Sequence, residues 1–87
     1  MNDIDLKILY NLYFIEPSIN ELNKLLDIAP INTYKHLKKL KFLGLIKVLD
    51  SGSGRKSKVI KNFKDDFTLI EFLEILNIAE RRLKLNG

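Results

Sequence analysis

The stretch DIAPINTYKHLKKLKFLGLI, residues 27–46, decides how the rest of the chain is read. At 100° per residue, Thr33, Leu37 and Leu40 fall on one side of a helix, while Ile31, Tyr34, Lys35 and Lys38 fall on the other. Lys39 and Lys41 take the two flanks. The pattern predicts a helix with an apolar inside and a cationic outside that carries one aromatic ring. Pro30 stands near its start, where a missing N–H is harmless, and Gly44 supplies the stop because a residue without Cβ takes the left-handed conformation easily. Leu45 and Ile46 then carry an apolar run onward.

Charge is distributed just as unevenly. Nine bases between Lys35 and Lys61 face a single acid, Asp50, whereas the remaining residues hold six bases and ten acids. A solvated surface helix would mix its signs, so a cationic third on a mildly acidic scaffold points to an anionic partner. Eighty-seven residues make one small domain, short of what a deep catalytic cleft between domains needs. No apolar run approaches the length of a membrane span, and MNDIDLK carries acids where a signal peptide carries bases, so a cytoplasmic location is expected. The chain has no cysteine, which excludes disulfides and thiolate metal sites, and the lone imidazole of His36 does not make a metal centre. No cofactor or small-molecule ligand is indicated. Every serine lies in a turn or cap and the carboxylates cluster at helix starts, so no nucleophile and base pair stands out and an enzyme is not expected.

Upstream, Asp3 or Asp5 can cap a first helix whose apolar positions are Ile4, Ile8, Leu12 and Ile15, widened by Leu6, Leu9 and Tyr13. Pro17 breaks that pattern. Ser18 and Glu21 form an S-x-x-E capping box for a second helix over residues 19–26, with Ile19, Leu22, Leu25 and Leu26 as its inner face. Ile28, in the turn that follows, is placed to plug the space between the second and third helices. Downstream of Gly44 the period falls to two, predicting strands over residues 45–49 and 58–61 joined by a hairpin with basic residues at and beyond its tip. A Gly-x-x-x-x-Gly-Lys-Ser spacing is absent there, so this is not read as a phosphate-binding loop. A lone hairpin is marginal in water and must lean on the helices.

The last segment opens with Asp65 and Asp66, favoured at a helix N-terminus, and Thr68 with Glu71 offers a second capping box. Leu69, Phe72, Leu76 and Leu83 form a stripe that can cover the core, leaving Ile70, Leu73 and Ile78 in excess. Residues 1–64 therefore read as one domain and residues 65–87 as a C-terminal helix. Such a helix either roofs the monomer or is shared between two copies, and its surplus favours a homodimer to which Tyr10 and Phe14 of the first helix contribute.

Over residues 5–61 the chain resembles the winged helix-turn-helix domain of bacterial and archaeal transcription regulators, including the MarR, ArsR and PadR groups. The residues that carry the likeness are Glu21-Leu22 in the second helix, Leu26-Asp27-Ile28 in the turn, and Leu37-Lys38-Lys39-Leu40 followed by Gly44-Leu45-Ile46. Two positions depart from the pattern. Asp27 stands where Gly is usual, and Thr33 replaces an aliphatic, leaving a hydroxyl to satisfy. The resemblance implies a mainly α fold, with a three-helix bundle, a two-stranded wing and a C-terminal helix. It also implies sequence-specific binding of double-stranded DNA by a homodimeric regulator, the third helix in the major groove and the wing on the flanking backbone or minor groove. On that reading Ile31, Asn32, Tyr34 and Lys35 face bases or groove walls. Lys38, Lys39 and Lys41 face phosphates, Arg55 and Lys56 act from the wing with Lys58 behind them, and His36 fills space or bonds locally. A sequence-independent architectural or plasmid-partition DNA binder would share the charge pattern. A winged-helix protein-interaction module tends to lose the basic face that this chain keeps.

Overall fold

The computed structural model describes residues 1–50, 52, 56–63 and 65–84. Its elements run α1 (Asp3–Phe14), α2 (Ile19–Leu26), α3 (Pro30–Phe42), β1 (Ile46–Leu49), β2 (Lys58–Lys61) and α4 (Asp66–Leu83). The first helix is capped by Asn2, not by Asp3 or Asp5. The Asn2 side chain accepts the Asp5 N–H while the Asp5 carboxylate accepts the Asn2 N–H. Ile15, expected in the apolar stripe, is the C-cap and is exposed.

Helix α2 has the expected bounds, and its capping box forms as the spacing requires, Ser18 Oγ accepting the Glu21 N–H and Glu21 accepting the Ser18 N–H. Leu25 does not join the inner face. Ile19, Leu22 and Leu26 are buried on one arc of the helix, and Leu25 lies beyond its edge in solvent. The helix ends at Asp27 in the left-handed conformation, φ 52° and ψ 47°, so the residue standing where glycine is usual adopts the glycine-like geometry itself. Ile28 packs against the core, as its place in the turn suggested.

Helix α3 begins with Pro30 and has no side-chain cap. Its end is a Schellman motif: Gly44, at φ 78°, donates to Lys41 O, and Leu45 donates to Leu40 O. Leu40 and Leu45 are both buried, completing the hydrophobic contact that accompanies this motif. Because Leu45 is used in the turn, β1 starts one residue later than the alternation predicts. Asn62 fastens the turn from outside, its side-chain amide donating to Gly44 O at 3.0 Å and its backbone N–H to Leu45 O at 3.0 Å.

Strands β1 and β2 pair antiparallel, with Val48 opposite Val59. The other edge of β2 is met by the segment before α2: Val59 N–H donates to Pro17 O at 2.8 Å and Ile19 N–H to Ser57 O at 2.9 Å. The hairpin therefore leans on the helices through backbone bonds as well as through buried Val59 and Ile46.

Asp65 caps α4, its Oδ1 accepting both the N–H and the hydroxyl of Thr68. Thr68 is thus inside the helix, and the expected Thr68–Glu71 box does not form its start. The helix lies chiefly along α1. It buries Phe72 and Ala79, with Ile75 packed beside them, while Leu69, Leu76 and Leu83 are only half-buried. The contact arc is therefore rotated from the one the leucine stripe suggested. The core gathers Ile8, Leu9, Leu12, Leu22, Leu37, Leu40, Ile46, Val59 and Phe72 from all six elements. Each such buried side chain contributes about 1.5–3 kcal/mol relative to an exposed one.

Candidate nucleic-acid interface

The inward side chains of α3, Thr33, Leu37 and Leu40, are buried, and that burial sets which residues face out. The Thr33 hydroxyl left over by the sequence pattern donates to Asn23 Oδ1 at 2.7 Å, locking α3 to α2. On the opposite face Ile31, Asn32, Tyr34, Lys35, Lys38 and Lys41 are all exposed. Tyr34, Lys38 and Lys41 line an open cleft of about 230 Å³ whose other walls are Ile19, Leu37 and Val48. Two cations and a phenol thus meet over an apolar floor where α3 approaches β1.

Phe42 was not singled out in the sequence, yet it is 90% exposed. It continues the row Ile31, Lys35, Lys38 at helical spacing, and that spacing was the signal available for finding it.

Lys39 and His36 point elsewhere. The Lys39 ammonium lies 2.7 Å from Asp5 Oδ2, and His36 Nδ1 lies 2.7 Å from Asp5 Oδ1. Asp5 itself has no solvent exposure. Burial opposes its ionisation, but hydrogen bonds from Lys39, His36 and the Asn2 N–H outweigh that and hold the carboxyl below its usual 3.8. Lys39, expected to face phosphate, is paired here with Asp5, and the partner of His36 is a carboxylate on another helix instead of a local group. No periodicity in the sequence links these three residues.

At the wing, Lys56 and Lys58 are exposed, and Arg55 lies outside the described residues. Asp50 Oδ1 accepts the Gly52 N–H at 2.8 Å where the chain leaves β1. The backbone N–H and hydroxyl of Ser18 hold the Glu21 carboxyl below its usual range. Lys58 forms an antiparallel bridge with Ser18 and so stands at the wing root beside the start of α2. Lys61 sits over the rings of Tyr13 and Phe63, 5.9 and 5.8 Å from their centroids.

Away from this face, Ile70, Leu73 and Ile78 are exposed on α4, joined by Phe67, which the sequence reading passed over. Phe14 is exposed and Tyr10 half-buried, their rings 5.2 Å apart. Among the described residues no helix is long and apolar enough to cross a membrane, and no group of three or more acidic or imidazole side chains is placed to hold a metal ion.

No protein-family model matches the chain, and no curated protein sequence does. Solved structures do. The transcriptional regulator BldR from Sulfolobus solfataricus superposes with a TM-score of 0.66 at 23% identity, over 97% of this chain and 62% of that one. Wild-type ZitR from Lactococcus lactis gives 0.64 at 20%, over 97% and 58%. The reduced form of MarR from E. coli gives 0.65 at 15%, over 94% and 57%. The fold is therefore the winged helix found in these transcriptional regulators. The chain spans less than two thirds of the length of each of the three.

Proposed function

We propose that the chain binds double-stranded DNA in a sequence-specific manner as a homodimeric transcription regulator. The observation that carries this reading is the outer face of α3, where Lys35 and Lys38 project with Ile31, Asn32 and Tyr34 from a winged-helix frame. A duplex rewards spaced cations through counterion release, and side chains in the early turns of such a helix reach base edges in the major groove. Ile31, Asn32, Tyr34 and Lys35 take that base and groove-wall role, Lys38 and Lys41 the phosphate role, and Arg55, Lys56 and Lys58 the wing contacts. The exposed Ile70, Leu73 and Ile78, with Phe14 and Tyr10, supply the dimer interface. Selection of bound fragments from a genomic library tests the reading. A palindromic consensus supports it, uniform recovery of all fragments marks an architectural or partition protein, and no recovery at low salt points to a protein-interaction module.

A further inference from the structure

A carboxylate with no solvent exposure, on a helix that does not face the proposed DNA surface, nevertheless holds two side chains of the helix that does. Asp5 binds His36 and Lys39 of α3 with its two oxygens, both at 2.7 Å, while its own position is fixed by reciprocal bonds with Asn2. We propose that Asp5 is a positioning residue for DNA binding, one that withdraws the Lys39 ammonium from the phosphate backbone and confines the binding charge of α3 to Lys35, Lys38 and Lys41. The assignment rests on the DNA-binding reading and adds to it which cation is excluded.

The competition favours Asp5 on physical grounds. Lys39 is half exposed, so it has a choice of partners, but a phosphate offers it a water-screened contact whereas Asp5 offers one from which water is removed. Leaving would strip a buried carboxylate of a charged partner, the costliest way to break such a pair. His36 stays on the other oxygen and keeps α3 in register against α1.

The test is the salt dependence of binding by the full chain to a fluorescein-labelled duplex of mixed sequence, for the unmutated protein, Lys39→Met, Asp5→Asn and the double variant, each confirmed folded by circular dichroism. Lys39→Met is expected to leave the log–log slope unchanged. Asp5→Asn is expected to steepen it by about 0.9 per protomer, the value of one added phosphate contact, and the double variant to restore the original slope. A purely structural role for Asp5 would not produce that reversal. If Asp5→Asn fails to fold, ¹⁵N spectra of the lysine ammonium groups decide: with added duplex the Lys35 and Lys38 signals should move and the Lys39 signal should not. Flattening by Lys39→Met, or a Lys39 signal that moves as far as that of Lys38, overturns this assignment alone. Failure of the unmutated chain to bind at low salt overturns the DNA reading and the assignment together.

Discussion

The Thr33 hydroxyl donates to Asn23 Oδ1 at 2.7 Å from a position without solvent exposure, tying α3 to α2 behind the turn that joins them. An aliphatic at this position would pack as well and need no partner. A paired polar group here fixes the relative rotation of the two helices. Thr33→Val should therefore cost about 0.5–1.5 kcal/mol, the net worth of one such bond, and the double variant with Asn23→Ala should show non-additivity of similar size in urea unfolding. Additive losses would mean that the two side chains do not act as a pair.

The chain should lose stability in acid through Asp5. Its folded carboxyl titrates below 3.8, so its contribution is complete above the unfolded value and drains away as the pH falls through the folded one. Unfolding at pH 7 and near pH 3 should show the unmutated protein losing more than Asp5→Asn over that interval. A gap that stays constant across it would detach the carboxylate from acid stability.

DNA affinity should fall steeply with salt. About three phosphate contacts per protomer give a dimer a log–log slope near −5, and Lys38→Ala should flatten it by roughly 2 on every sequence alike. Asn32→Ala or Lys35→Ala should instead cost about 1–3 kcal/mol on a selected site and less on mixed-sequence DNA. Equal losses on the two would turn the reading from a regulator to a coating protein.

Ile70→Glu combined with Ile78→Glu should yield a folded monomer with weak DNA binding. Both residues are exposed on α4, and the helix packs into the core through Phe72 and Ala79 instead. Sedimentation of the unmutated chain at micromolar concentration provides the check: a single monomeric species, with or without DNA, would reduce α4 to a cover for α1.

What could be read in the sequence was what is local. The bounds of α2 followed from Ser18, Glu21 and the four apolar positions between them and Asp27, and the end of α3 followed from Gly44. These features act over a single turn of chain and leave a fixed spacing. Leu25 was misplaced because an eight-residue helix against two neighbours buries a narrow arc, and that arc is set by tertiary packing. Acids at helix starts usually serve the cap, and Asp5 does accept the Asn2 N–H, but its further role leaves no mark in the sequence. Its partners at positions 36 and 39 are set by the crossing of α1 over α3, which no periodicity encodes. Asn62 was invisible for the same reason, since a single amide that closes a distant turn has no pattern to repeat. On the proposed interface the lysines of α3 are legible as a set, and helical phase sets Lys39 on a flank away from Lys38, but only the structure shows its pairing with Asp5.

The backbone bonds from Pro17 and Ser57 to β2 and α2 also bear on how the chain opens. They join the segment before α2 to the strand after the wing, so α2, the turn and α3 lie inside one loop of chain whose ends are bonded together. Neither end can fray without releasing the other. The amide hydrogens of Ile19 and Val59 should consequently exchange with solvent at a common rate set by opening of the whole domain, even though Ile19 is the first residue of its helix, where exchange is ordinarily fast.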